Sequence, residues 1–225
     1  MALKLTMERI PAPFASMYEK ACRLVVEPYY RRVAEEVVST FRKGRLLDLG
    51  TGPGYLPIEI AKKAPRVMVV GVDLSRPFIR MARKQAMKIG LAHRVRFEVG
   101  DAKKLRFDEG SFDGIISTGM LHMLKDPVRM LKECHRVLKP GGEGWIYDPA
   151  RVSSQIDKRR WKDSFTPVER WVFPLLAMYA RINPPHAYTR EKLAAMMRSA
   201  SFQDFTLQEH DGEWKIRMRK EEAQT

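Results

Sequence analysis

Leu46-Leu47-Asp48-Leu49-Gly50-Thr51-Gly52-Pro53-Gly54 constrains the fold of this chain more than any other stretch. A short apolar run meets three glycines at alternate positions, and a helix-compatible segment, Tyr55 to Lys63, follows at once. Glycine admits positive φ and a close approach of backbone to a ligand. The helix start beyond it presents backbone N–H groups that have no partner within the helix. Strand, glycine turn and helix in this order form a nucleotide-type site or a plain tight connection, and the surrounding sequence has to decide.

The downstream chain repeats the unit. Pro57 suits the first turn of the helix, and Ala64-Pro65 ends it. Val67 to Asp73 is a continuous apolar run closed by an acid, the pattern of a strand covered on both faces. Ser75 caps the next helix, whose inner stripe is Phe78, Met81, Ala82, Ala86 and Ile89 and whose end is Gly90. Val95 to Val99 alternates and reads as an outer strand, closed by Gly100-Asp101-Ala102. Phe112 to Ser117 is a fourth strand. Thr118 to Leu124 is loop or short helix, and Asp126-Pro127 opens a helix with Leu131, Cys134 and Leu138 inward. Lys139 to Gly142 reads as a turn before a fifth strand, Gly144 to Asp148. Alternating β and α units predict a Rossmann-like, doubly wound, mostly parallel sheet.

Both ends depart from that repeat. Residues 14 to 41 carry apolar residues at helical spacing, including Val25, Tyr29, Tyr30, Val33 and Val37, with Pro28 interrupting. Near the other end, Thr189 caps a helix with Leu193, Ala194, Met197 and Ala200. Two alternating runs then flank Asp211-Gly212, which predicts a β-hairpin and an antiparallel finish to a seven-stranded sheet. Residues 149 to 188 are too long for a simple crossover and carry Trp171, Phe173, Met178 and Tyr179. The chain therefore reads as one domain, 1–225. Its parts are a helical extension (1–45), a core (46–148), a substrate lid (149–188) and a last helix with hairpin (189–225).

A formal charge of +14, from 41 basic and 27 acidic residues, predicts attraction to an anionic partner: RNA, an acidic membrane surface or a phosphorylated substrate. Cys22 and Cys134 lie far apart and form no metal-like cluster, which fits free thiols, no metal and a cytoplasmic setting. No apolar run approaches the length of a membrane span.

Asp73 lies 23 positions beyond Gly50, about the spacing at which an acid reaches a ribose diol. Asp101 with Ala102 sits where an adenine edge would be read. A nicotinamide site favours G-x-G-x-x-G. Here the spacing is Gly50-x-Gly52-x-Gly54 with Asp48 ahead of it, which opposes a pyrophosphate and suits a cationic amino acid moiety.

On these motifs the chain resembles the class I S-adenosylmethionine-dependent methyltransferases. The matches also include Val70-Gly71-Val72-Asp73-Leu74-Ser75, Phe112 to Ser117 with Leu121-His122, and Val137-Leu138-Lys139-Pro140-Gly141-Gly142, so residues 46 to 148 are covered. The resemblance implies S-adenosylmethionine as cofactor. Asp48, Gly50, Thr51 and Gly52 would hold its methionine end, Asp73 the ribose, and Leu74, Asp101 and Ala102 the adenine. Ser117 would lie near the sulfonium, and Tyr18 is placed to reach back to the ligand. The pattern is strongest in small-molecule members, including quinone and phospholipid types.

The cofactor supplies the activated methyl, so the protein must align the acceptor and exclude water. Candidates for a base are His122, Asp148, Tyr147 and His186, with His122 the best placed, beyond strand four. Asn183-Pro184-Pro185-His186 resembles a base-methylating motif but lies in the insertion and reads as a rigid turn. The expected function is methyl transfer to a small or lipid-like acceptor, with peripheral membrane contact through Trp171 to Tyr179 as one route to it. RNA methylation, with Lys158-Arg159-Arg160 and Trp161 as contacts, and a non-catalytic cofactor-binding regulator are the alternatives.

Overall fold

The computed structural model describes residues 27–150 and 188–222. Tyr18, Cys22, the start of the expected first helix, His186 with its Asn-Pro-Pro neighbours and the insertion between 150 and 188 lie outside the described residues. The helices are α1 (Glu27–Thr40), α2 (Tyr55–Lys63), α3 (Arg76–Lys88), α4 (Pro127–Val137) and α5 (Arg190–Ser199). The strands are β1 (Gly44–Leu49), β2 (Val67–Asp73), β3 (Val95–Val99), β4 (Phe112–Thr118), β5 (Leu138–Pro149), β6 (Asp204–His210) and β7 (Glu213–Arg219).

The seven strands form one sheet in the order β3-β2-β1-β4-β5-β7-β6. The first five pair in parallel, and β7 lies antiparallel between β5 and β6. The hairpin turn is Asp211-Gly212, with φ of 50° and 77°. Two consecutive positive φ values make the primed turn whose twist matches paired strands, and that requirement selects Asp-Gly.

The continuous apolar runs are explained by helices on both faces of the sheet. Leu46, Val67, Val69 and Ile116 point to one face, against α1, α2 and α3. Leu47, Leu49, Val70 and Ile115 point to the other, against α4 and α5. Three of the five described helices start on the side-chain cap their sequence offers. Ser75 Oγ accepts from Phe78 N at 3.5 Å, Asp126 Oδ1 from Arg129 N at 3.0 Å, and Thr189 Oγ1 from Lys192 N at 3.3 Å. Pro28 sits in the first turn of α1 as described, where its missing N–H costs nothing. The buried stripe of α3 is Phe78, Ile79, Ala82 and Ala86, whereas Ile89, expected inside, is exposed at the helix end.

One expectation is corrected. Lys139-Pro140-Gly141-Gly142 does not separate helix from strand as a free turn; it lies within β5. Phe112 pairs with Leu138 and Gly114 with Glu143, so these four residues bulge opposite Asp113 alone. Lys139 Nζ reaches Asp113 Oδ1 at 2.7 Å. Gly141 and Gly142 keep backbone bonds to Lys220, each at 2.9 Å. The turn chemistry is present, but pairing to the neighbouring strand holds it in the sheet.

Gly71, in the middle of β2, marks the closest approach of the sheet to the glycine loop. A Cβ there would stand 2.5 Å from Thr51 Oγ1 and 2.7 Å from Phe97 Cδ1. Gly71→Ala should therefore lower stability by about 1–3 kcal/mol, read as a lower urea midpoint. An unchanged midpoint would mean that the loop yields without cost.

Candidate functional site

The carboxyl ends of β1 to β4 open into a cleft of about 750 Å³, counted with its mouth. Gly50 N and Thr51 N both donate to Val72 O, at 2.9 and 3.1 Å, so the end of β2 carries the loop after β1. The side chain of Asp73 completes the hold. Its Oδ2 accepts from Gly52 N at 2.9 Å and its Oδ1 from Ser75 N at 2.7 Å. Burial pushes this carboxyl above its ordinary value, and the two backbone donors oppose the rise. Asp73 lines the cleft, and each oxygen has a second lone pair beyond the one it uses.

The loop is shaped for close approach. Gly50, Gly52 and Gly54 all have positive φ, and a Cβ on Gly52 would meet nothing within 4 Å. Gly54 is different: its absent side chain makes room for Phe97 and Ala82, and it starts α2 from a left-handed conformation. Gly50 and Gly52 face the cleft, while Gly54 serves packing.

Leu74, Phe78 and Ala102 give the cleft an apolar wall beside Asp101, a pairing that suits a flat heterocycle with a polar edge. Asp101 Oδ1 accepts from Lys103 N at 2.9 Å, and its side chain remains 40% exposed. Thr118, Gly119, Met120, Met123 and Leu124 line the cleft from the β4 side. A Cβ on Gly50 would stand 2.7 Å from Met120 Sδ, so the thioether lies against the glycine loop. The residues present thus fit a nucleoside: a carboxylate for vicinal hydroxyls, an apolar slot for a base and a bare backbone loop for the remainder.

Three cofactor candidates from the sequence, and the base candidates His122, Asp148 and Tyr147, are not among the residues that line the cleft. Ser117 is fully buried and donates to Leu49 O at 3.0 Å, so it ties β4 to β1, and Thr118 and Gly119 take the lining positions. Asp48 and Thr51 lie under the loop, 2% and 5% exposed. Asp48 Oδ1 and Thr51 Oγ1 are both buried without a hydrogen-bond partner among the described residues. Burial pushes the Asp48 carboxyl up to about 7; Thr51 tempers this from outside hydrogen-bond geometry, and the charge of Asp73 adds to it.

The two leading base candidates are brought together. Asp148, at the end of β5, is 1% exposed and accepts from His122 N at 3.0 Å. Its other oxygen lies 3.1 Å from His122 Nδ1. Tyr147 is buried on the α1 face, away from this pair, and burial pushes its phenol up.

The cleft also holds residues that the sequence reading did not single out, foremost Tyr30 of α1, which stacks on Tyr55 with centroids 6.3 Å apart. Adjacent tyrosines on a helix stand about 100° apart; Tyr29 and Tyr30 both pack against the same core cluster, but only Tyr30 lines the cleft. Tyr29 instead donates to Glu213 Oε1 at 2.6 Å. Met120 and Met123 sit in a loop and a 3₁₀ turn without periodicity to mark them.

Asp48 gives the site a pH signature. Its carboxyl titrates near 3.8 unfolded and about 7 folded. Below pH 4 both states hold the proton. Between pH 4 and 7 only the unfolded state releases it, so native stability falls as pH rises through that window. Asp48→Asn removes the term. The variant should gain on the parent between pH 4 and 7 by about 1.4 kcal/mol per pH unit, in denaturant titrations. A difference that stays flat with pH would show that Asp48 is ionised in the native protein.

Comparison with known proteins agrees with this geometry. Residues 46–142 match the family model described as a methyltransferase domain. A ubiquinone/menaquinone biosynthesis C-methyltransferase UbiE of Geobacter sp. (strain M21) is 34% identical over 149 residues, 63% of each chain. Its namesake in Geobacter sulfurreducens is 28% identical over 200 residues, 86% of this chain and 78% of the relative. The chain thus spans less than two thirds of the first relative's length. A putative S-adenosylmethionine-dependent methyltransferase from Methanococcus maripaludis superposes with a TM-score of 0.71 at 20% identity, covering 94% of both chains. Residues 46–142 thus match a methyltransferase domain, and the fold around them is shared with a putative S-adenosylmethionine-dependent methyltransferase.

Proposed function

We propose that the chain binds S-adenosylmethionine in the cleft and methylates a ring carbon of a reduced, quinone-like acceptor. The observation that carries the cofactor is Asp73, a half-buried carboxylate on the cleft wall whose geometry is fixed by Gly52 N and Ser75 N. A fixed carboxylate offers two acceptors to two vicinal hydroxyls. Leu74, Phe78 and Ala102 would hold the adenine, with Asp101 at its edge. Gly50 and Gly52 would let the amino acid end lie on bare backbone. Asp48 and Thr51 beneath the loop would favour a cationic ammonium through their unpartnered oxygens.

The cofactor supplies an electrophilic methyl: a bond to the acceptor forms as the sulfur–carbon bond breaks, its electron pair staying on sulfur. Everything else falls to the protein. It must seat an apolar acceptor beside the β4 loop, keep water out and take a proton. Met120, Met123 and Leu124 supply an apolar wall there. The acceptor class comes from the relatives, which carry the names of quinone-pathway C-methyltransferases.

Calorimetry tests the cofactor. S-adenosylmethionine should bind and NAD should not. Asp73→Asn should weaken binding by roughly 10- to 100-fold, as expected for loss of hydrogen bonds to a charged group. Incubation with reduced demethylmenaquinone should give the C-methylated ring. NAD binding without S-adenosylmethionine binding would overturn the cofactor, and failure to methylate any reduced quinone would overturn the acceptor.

A further inference from the structure

We propose that His122 is the catalytic base that takes the acceptor's hydroxyl proton, and that Asp148 is a positioning residue that holds its ring by Nδ1. The inference rests on the acceptor reading above, because a hydroquinone carbon becomes nucleophilic when its hydroxyl loses a proton.

The geometry is a two-point grip. His122 lies in the 3₁₀ turn Leu121–Met123, directly after β4, and Asp148 lies at the end of the neighbouring strand β5. One Asp148 oxygen takes the His122 backbone N–H and the other faces Nδ1. The backbone bond fixes where the residue sits; the side-chain bond fixes how the ring turns. Asp148 is sealed from solvent, so water does not compete for its oxygens, while the imidazole keeps 17% of its surface. Met120 and Met123, on either side of His122 in the chain, both line the cleft, so the turn that carries the imidazole is part of its wall.

A second element locks the turn from the other side. Tyr188 donates its hydroxyl to Leu121 O at 3.3 Å, and Trp214 Nε1 donates to Tyr188 O at 3.2 Å. β4, β5, β7 and the segment just ahead of α5 therefore converge on one imidazole-bearing turn. The ionisable groups around it are Asp148 and Tyr188. Burial pushes Tyr188 up to about 12, with the Asp148 charge adding, so it stays a neutral phenol near neutral pH. Burial also pushes Asp148 up, and the hydrogen bonds from His122 oppose that.

With Nδ1 held as a donor to Asp148, the imidazole lone pair is on Nε2. The O–H bond of the acceptor breaks with its proton going to Nε2. The electron pair stays on oxygen and is shared with the ring carbon beside it. After that carbon has been methylated, it releases its own proton to solvent, and the oxygen recovers one from the imidazolium. Each turnover releases one proton, and the dyad ends as it began. A triad-type orienter holds a base in its productive tautomer in the same way.

His122→Asn tests the base, since the shorter amide can still donate to Asp148. It should bind S-adenosylmethionine as the parent does and lower kcat on reduced demethylmenaquinone by 10²- to 10⁴-fold. Its residual rate should rise tenfold per pH unit where the parent's levels off. Asp148→Asn should lower kcat with KM little changed. Nitrogen NMR of ¹⁵N-histidine-labelled protein reads the tautomer without turnover: His122 should show a protonated Nδ1 and a bare Nε2, and Asp148→Asn should shift that balance. The proposal is overturned if His122→Asn keeps kcat within threefold, or if neutral His122 carries its proton on Nε2. Parent protein that binds S-adenosylmethionine but methylates no reduced quinone overturns the acceptor reading and this role with it.

Discussion

The Asp73 carboxylate is the contact on which the cleft depends. It joins the loop after β1, through Gly52 N, to the cap of α3, through Ser75 N. Charge-assisted bonds to backbone donors are short and directional. One side chain thus fixes the shape of the glycine loop and the entry angle of the helix that brings Phe78 to the wall. The main chain beside it adds to the hold, since Val72 O takes Gly50 N and Thr51 N, and Asp73 O takes Gly100 N at 3.1 Å. Loops after β1, β2 and β3 are therefore braced at one strand end. A group that needs a fixed diol acceptor, a flat slot and a bare loop within a few ångströms meets all three because of this brace.

Strand order explains why the cleft opens where it does. The order in which strands are added reverses between β1 and β4: β2 and β3 lie to one side of β1, and β4 and β5 to the other. Connections leave in opposite directions at that point and part above it, which is where open α/β sheets leave a crevice. The β1 side contributes polar recognition, through Asp73 and Asp101. The β4 side contributes Met120, Met123 and Leu124, an apolar and adaptable surface. The division puts the polar groups on one side of the cleft and an apolar, adaptable surface on the other.

Much of this was legible in the sequence where a local rule acts alone. Ser75, Thr189 and Asp126 cap because a side-chain oxygen reaches a backbone N–H two or three residues on, and Asp211-Gly212 turns because two positive φ values are needed. Asp73 and Asp101 stood out because acids at strand ends need a reason, and Asp48 because it is an acid inside a strand. Ser117 did not behave as its position suggested: strand alternation turned its hydroxyl into the sheet, onto Leu49 O. Lys139 to Gly142 carried every sign of a turn, yet pairing with Lys220, some eighty residues later, decided otherwise. Tyr30 showed only as part of an apolar helical stripe and Met120 left no local signal, since their places on the cleft depend on how α1 and the β4 loop fold back on the core.

The placement of Tyr30 follows from a balance between two kinds of contact. α1 precedes the first β-α unit and docks through Val33, Ala34 and Val37, each at most 1% exposed. Burial of two valines is worth about 1.5–3 kcal/mol each, which is enough to hold the helix down. Apolar contact alone tolerates rotation and sliding. Glu36 removes that freedom by taking Lys215 and Arg217 of β7, both at 2.9 Å, and Tyr29 adds its bond to Glu213 on the same strand. Such half-exposed pairs contribute little net stability. Their effect is angular: with Tyr29 pinned toward β7, the next residue, about 100° round the helix, is turned toward Tyr55 and the cleft. The antiparallel hairpin that closes the sheet thereby helps determine which aromatic ring of α1 faces the cleft.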